Sequence, residues 1–344
     1  MKLGIIGLPA CGKSTVFDAL THNVSDPGQK KESRIGTVQV PDSRIDILSR
    51  MYNPKKTIYA QVEYFLPGFM GHATEKSKEQ SIWTQVRDSQ ALIHVVRNFK
   101  IFGGELPDAN TDFTALDQEL ILSDLVVVEK RLERLETDSK RGNKYNPEEH
   151  SLLEESLKHL EDEIPLRRFP QIADSPLLRG YAFLSAKPML LLFNNEDEDE
   201  SVPDVGNLAK NEDSMVIRGK LEQELAQMSD EEAKEFLAEF SIKASAMDRV
   251  IHGSYELLGL ISFFTVGEDE VRAWTIPKDT LAVDAAETIH TDLKKGFIRA
   301  EVISYDDLMD AGSYAEARKR GTVRLEGKTY KVQNGDIMNI RFNI

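Results

Sequence analysis

The stretch Gly7-Leu8-Pro9-Ala10-Cys11-Gly12-Lys13-Ser14-Thr15 constrains this chain more than any other part of it. It has the spacing G-x-x-x-x-G-K-[ST]. A short apolar strand candidate, Lys2 to Ile6, precedes it, and residues 14–22 read as a helix. In that strand–loop–helix context the loop is a phosphate cradle. Its glycines let the backbone wrap so that several N–H groups, those of Gly7, Pro9-flanking Ala10, Cys11 and Gly12 among them, converge on one anion. The following helix adds its positive N-terminal end. Lys13 is expected on the β- and γ-phosphates, the Ser14 hydroxyl on Mg²⁺, and Thr15 near the α-phosphate. Cys11 is the chain's one cysteine, so no intramolecular disulfide forms. It reads either as a thiol that the loop's positive field turns toward thiolate or as a small residue packed under the loop.

The rest of the chain is organised around that loop. Val62 to Leu66 and Ala91 to Val96 are further strand candidates. Ile121, Leu125, Val128, Leu132 and Leu135 step by four and three, and Leu153, Leu157, Leu160 and Ile164 do the same after a polar break. Two amphipathic helices joined this way predict an antiparallel helical hairpin. Residues 188–193 are continuously apolar, as a buried parallel strand is. From Ile261 onward the pattern predicts a small α+β module, with strands over 271–276 and 323–332 and a turn at Asn334-Gly335. The fold class expected is α/β: a P-loop sheet with helices on both faces, carrying a helical hairpin insert and a small α+β C-terminal domain. The boundaries expected are 1–113 and 180–258 for the discontinuous nucleotide-binding domain, 114–179 for the hairpin and 259–344 for the C-terminal domain.

Asn194-Asn195-Glu196-Asp197 follows the buried strand, where a base-reading loop belongs. An asparagine there can bond the base N7 and brace the phosphate loop. A carboxylate three residues on accepts the two N–H groups of guanine's Watson–Crick edge, whereas adenine offers an acceptor and a donor. Asp197 therefore leans toward guanine, or else begins the acidic run of residues 196–200. Arg218-Gly219-Lys220 is the candidate for the last base-contacting loop.

Taken together, these segments resemble the YchF / Obg-like ATPases, a branch of the P-loop GTPase class. The resemblance spans the chain: GLPACGKSTVFDALT, VPDSRIDIL, ALIHVVR, KPMLLLFNNED and, most fully, GEDEVRAWTIP with AAETIHTDLKKGFIRAEVISYDDL and EARKRGTVRLEGKTYKVQNGDIMNIRFNI. It implies that the C-terminal module is a TGS (ubiquitin-like) domain, that ATP or GTP binds with Mg²⁺, and that the partner is the ribosome or RNA. The family usually has Asn-x-x-Glu in its base loop; this chain has Asn-x-x-Asp. Where the family has an Asp-x-x-Gly motif, this chain has Phe65-Leu66-Pro67-Gly68, so the glycine survives and the carboxylate does not. The family's switch threonine aligns within Gln29-Lys30-Lys31. Its second switch is replaced by residues 69–76, with Phe69 at an apolar position and His72 three residues on. Glu63 is the nearest alternative carboxylate. The expectation is binding with slow hydrolysis or none, against two rivals, a competent ATPase/GTPase and a non-hydrolysing RNA- or ribosome-binding module.

A formal net charge of −15 argues against non-specific coating of nucleic acid. Two basic clusters stand out against it: Lys294, Lys295 and Arg299, and Arg318, Lys319, Arg320 and Arg324. They either converge on RNA phosphates or balance the acidic residues of their own module. No apolar run approaches the roughly 18 residues of a membrane span. The expectation is a cytoplasmic protein, monomeric, with no membrane partner.

Overall fold

The computed structural model describes residues 1–22, 32–68, 82–205, 211–239 and 245–343. They fall into two units, Met1–Thr37 with Glu63–Val250, and Val38–Val62 with Ile251–Ile344. Residues 38–62 thus group with the C-terminal residues, a crossing that no composition break in the sequence marks.

The first unit is built on strands β1 (Lys2–Ile6), β2 (Arg34–Gln39), β4 (Gln61–Leu66), β5 (Ala91–Asn98), β6 (Met189–Asn195) and β7 (Asp213–Ile217). Their order is β2-β4-β1-β5-β6-β7. The pairs flanking β1, and those joining β5, β6 and β7, are parallel. Every residue of β6 is buried, because a parallel sheet is covered on both faces. Chain order reverses direction across β1, with β4 on one side and β5 on the other. That is the switch point at which α/β sheets receive ligands, and the phosphate loop leaves β1 there for helix α1 (Lys13–Thr21).

Helices α3 (Ala109–Lys140) and α4 (Pro147–Glu161) form the expected hairpin, α2 (Ser43–Tyr52) being part of the second unit. Asp108 and Asn146 cap the two hairpin helices with side-chain oxygens. Ile121, Val128, Leu132 and Leu135 meet Leu153 and Leu160 in one core. Ile164 departs from the expected stepping: α4 ends at Glu161, Glu163 turns left-handed at φ 56, and Ile164 is exposed. The sequence-based boundary at 113/114 falls inside α3, whose Phe113 and Leu116 pack against β5 and β6.

The second unit holds β3 (Lys56–Ile58), β8 (Leu260–Val266), β9 (Glu270–Pro277), β10 (Phe297–Ser304), β11 (Arg324–Glu326) and β12 (Asp336–Phe342) in the order β11-β10-β12-β8-β9-β3. Phe263, Ala285, Ala300, Val302 and Met338 share its core. The strand expected over 323–332 shrinks to β11. A turn closed by Tyr330 N donating to Gly327 O interrupts it, and only an isolated bridge at Lys331 follows. Among the described residues no helix is long and apolar enough to cross a membrane.

Candidate functional site

The phosphate loop is shaped by exclusion. A Cβ on Gly7 would lie 2.5 Å from the Val95 carbonyl oxygen and 2.6 Å from Cys11 Sγ. Gly12 sits at φ +98, and a Cβ there would lie 2.2 Å from Asn194 Nδ2. Ala10 takes the left-handed region at φ 61. The Lys13 ammonium folds over the loop and donates to Gly7 O at 2.8 Å and Leu8 O at 2.6 Å. Pro9, Ala10 and Ser14 are exposed, and Thr15 is half-buried. Cys11 is buried beneath them. Burial pushes its thiol up and outweighs the pull of the neighbouring Lys13 charge, which favours the reading of a small residue packed under the loop over that of a thiolate.

Asn194 is the keystone of the base loop. Its Nδ2 donates to Cys11 O at 3.1 Å, and its Oδ1 accepts from Gly219 N at 2.9 Å. One buried side chain therefore ties the phosphate loop to the turn that opens helix α5 (Gly219–Leu225). Gly219 must be glycine here, since a Cβ would lie 2.6 Å from Asn194 Oδ1. Asn195 points its polarity elsewhere. It is buried, donates to Asp199 O and Ser201 O, and accepts from Asn98 Nδ2 at 2.9 Å, so it folds the acidic loop. Asp197 is exposed, with Oδ1 accepting from Leu221 N at 3.3 Å. Lys220 is exposed beside it. Sequence reading passed over Phe99, whose ring edge lies 3.9 Å from where a Gly12 Cβ would be. An aromatic after a strand reads as core, and nothing local signals otherwise.

Among the described residues, the opposite side of the site is packed rather than polar. Phe65 is buried in a cluster with Ile6, Trp83, Leu92 and Val96, and Lys2 Nζ lies 4.1 Å over its ring. Gly68 donates to Gln85 Oε1 at 3.3 Å and accepts from Gln85 Nε2 at 3.2 Å. One amide side chain thus occupies both backbone groups of that glycine. Glu63 pairs in register with Lys2, while Phe65 pairs with Gly4. Lys2 lies four residue steps before Ile6 at the end of β1, which sets Glu63 about 13 Å behind the phosphate loop. Among the described residues no group of three or more His, Cys, Asp or Glu is placed to hold a metal. Gln29 to Lys31, Phe69 and His72 lie outside the described residues.

Two buried groups support the site from below. Asp18 on α1 accepts from Arg34 at 2.8 Å and from Gln223 on α5 at 3.1 Å, a second tie between those helices. His94 lies opposite Ile6 in register and stacks on Phe113 at 5.7 Å. Neither ring nitrogen has a hydrogen-bond partner. Burial first, and then the charges of Arg167 and Lys13, hold its pKa down to about 3, so it is neutral.

In the second unit the basic clusters are engaged with neighbouring acids. Arg318 and Arg341 both reach the buried Glu301, and Arg324 pairs with Glu326 and Asp336. Lys294 pairs with Asp284 and Glu287, Lys295 with Asp292, and Lys319 and Arg320 with Glu316. Arg299 is exposed and lies across from Arg341.

Against known proteins, residues 260–343 match the family model YchF-GTPase_C, described as a protein of unknown function (DUF933). Over the whole chain, the "Ribosome-binding ATPase YchF" of Bacillus subtilis is 36% identical, with all of both chains covered. That of Haemophilus ducreyi is 37% identical, covering 100% of this chain and 99% of its own. The chain belongs to the YchF family. Its fold agrees: the solved structure of the Schizosaccharomyces pombe YchF GTPase superposes with a TM-score of 0.86 at 29% identity, covering 99% of this chain and 97% of that one. This YchF-family chain therefore has full-length relatives rather than a shared module alone.

Proposed function

We propose that this chain binds a purine nucleoside triphosphate, ATP or GTP, and uses it as a switch for contact with the ribosome, with slow γ-phosphate cleavage or none. The observation that carries the reading is the Asn194 bridge between Cys11 O and Gly219 N. It fuses phosphate cradle and base loop into one preformed surface. Gly7, Pro9, Ala10, Cys11 and Gly12 form the cradle. Lys13 exchanges its loop carbonyls for phosphate oxygens, and Thr15 lies toward the α-phosphate. Asn194, Asp197, Gly219 and Lys220 border the base, while Asn195 acts through loop shape and Gly68 lies on the γ side. The ribosome enters through the relatives' printed function, ribosome-binding ATPase. The organisation that goes with this is a nucleotide-binding domain over 1–113 and 180–258, residues 38–62 of which cross to the second unit, a hairpin over 114–179 and a TGS domain over 259–344. The protein works as a cytoplasmic monomer.

The residues fit Mg²⁺ sparingly. Ser14, exposed at the start of α1, is the hydroxyl that would hold it, and Phe65 offers no second ligand. Mg²⁺ accepts a shell made mostly of phosphate oxygens and water, and when bound it neutralises phosphate charge. Cleavage also needs the attacking water held tightly, which a buried Phe65 and a Gly68 clamped by Gln85 do not provide.

Calorimetric titration with ATP and with GTP, each with and without Mg²⁺, tests the reading. Expected are saturable binding of at least one nucleotide and a loss of about 100-fold in Lys13→Ala, equivalent to ~2.7 kcal/mol. Phosphate release, with and without ribosomes, should stay near background. Absence of binding by both nucleotides would overturn the site. Rapid turnover abolished by Lys13→Ala would overturn the slow-cleavage half alone.

A further inference from the structure

Beside the base loop, the first unit carries a surface that overlaps the nucleotide reading only at Asp197. Residues 99–108 leave β5, and residues 196–205 leave β6, its parallel neighbour. The two loops are fastened together where they begin. Asn98 Nδ2 donates to Asn195 Oδ1 at 2.9 Å, and Lys100 N donates to Glu196 Oε1 at 3.0 Å. Both loops carry exposed apolar side chains. Phe102 is fully exposed, Leu106 is 74% exposed and Val202 63%. The Phe102 loop is held in shape: Gly104 N donates to Ile101 O at 2.9 Å, Gly103 takes φ 72, and Arg97 Nη1 donates to Glu105 O at 3.1 Å.

The charge around these side chains is mostly negative, with the exposed Lys100 the exception. Residues 196–200 are Glu-Asp-Glu-Asp-Glu, and Glu105 stands between Phe102 and Leu106. The nearby cation Arg218 is already engaged by Glu200 at 3.1 Å. A dense negative rim repels a phosphate backbone, and exposed apolar anchors rimmed by polar residues mark protein contact. We propose that this face docks a basic, amphipathic protein segment, its apolar side chains on Phe102, Leu106 and Val202 and its Lys or Arg residues against the acidic run. Such a segment inserts anchors as a helix does in a groove, with charge setting its orientation. The proposal does not depend on the nucleotide reading, and its test needs no nucleotide.

The test uses the full chain and three fluorescent probes: an amphipathic Lys/Leu peptide of about 15 residues, a scrambled peptide of the same composition, and a single-stranded oligouridylate of about the same length. Fluorescence anisotropy should give binding of the amphipathic peptide at least ~10-fold tighter than of either other probe, a difference of ~1.4 kcal/mol. Phe102→Ser with Leu106→Ser should remove that advantage at an unchanged melting temperature. If the double variant melts lower, Phe102→Ser alone decides, since a fully exposed side chain contributes little to the fold. Glu105→Lys with Glu198→Lys should weaken the peptide and flatten its salt dependence. Equal binding of the scrambled peptide, indifference to Phe102→Ser, or tighter binding of the RNA would each overturn the proposal.

Discussion

The two sides of the phosphate loop are built on opposite principles. On the base side, Asn194, Gly219 and Gly12 form a polar joint in which every close approach is specified by a hydrogen bond or by a missing Cβ. On the γ side, Phe65 is buried among Trp83, Leu92 and Val96, and Gln85 occupies Gly68. The first side presents preformed polarity, and the second has exchanged polarity for packing. On the proposed reading, binding and cleavage rest on separable parts of one sheet edge, so that one can be kept while the other is altered.

The most forceful way to break this contrast is to put a carboxylate back at Phe65. Phe65→Asp removes a buried ring and leaves a charge in an apolar cluster, expected to cost ~3–5 kcal/mol. Lys2, 4.1 Å over the ring, offers partial compensation and favours the lower end. Phe65→Leu should cost less than about 1.5 kcal/mol. Urea unfolding measures both. A Phe65→Asp protein that is as stable as wild type and releases phosphate faster would mean the γ side is not committed to packing. On the base side, Asn194→Ala strands Cys11 O and Gly219 N, at ~1–3 kcal/mol for each buried group left without a partner. A fall of roughly 5–10 °C in melting temperature is expected, together with loss of nucleotide-induced stabilisation. Retention of that stabilisation would show that cradle and base loop act independently.

How much of this was legible beforehand depended on the kind of signal. The phosphate loop, the buried strand β6 and the hairpin face were readable because spacing and periodicity are local. Asn194 was readable as a brace from its place where the apolar run of β6 ends. Three things were not. Residues 38–62 change units because β3 pairs with β9, a pairing across more than 200 residues that no local pattern encodes. Gln85 is an ordinary polar helix residue until Gly68 comes within reach. The sequence left open whether the basic clusters meet RNA or balance their own acids; what it did not show is that the strand residue Glu301 gathers Arg318 together with the distant Arg341.

The Gln85 clamp gives a smaller and sharper prediction. Gln85→Ala leaves two backbone groups of a buried glycine without that partner, expected to cost about 1–2 kcal/mol after water has partly replaced it. Gln85→Glu keeps an acceptor for Gly68 N and loses the donor to Gly68 O, so it should fall between Gln85→Ala and wild type. Hydrogen exchange at Gly68 reads the clamp directly. Protection that survives Gln85→Ala would remove Gln85 from the account of the packed γ side.

The smallest effect lies under the base side and depends on pH. His94 has an ordinary pKa of 6.5 when unfolded and about 3 when folded. Below pH 6.5 the unfolded chain takes a proton that the folded chain refuses, so the unfolded state is favoured as pH falls. The contribution of a neutral His94 is complete above pH 6.5 and is lost progressively down to about pH 3. Between pH 7.5 and pH 5.5 the loss should be about 1.4 kcal/mol. Other groups titrate over the same range, so the informative quantity is wild type minus His94→Leu, which cannot take up the proton. The variant's stability should fall less steeply over that interval, and the difference between the two proteins should become independent of pH above about pH 7. His94 is paired with Ile6, the last residue of β1 before the phosphate loop, and because the folded ring stays neutral over this interval, it should leave the nucleotide affinity of the folded protein unchanged. Parallel pH profiles for the two proteins would mean that His94 reaches solvent and carries its proton without disturbing the strand beneath the loop.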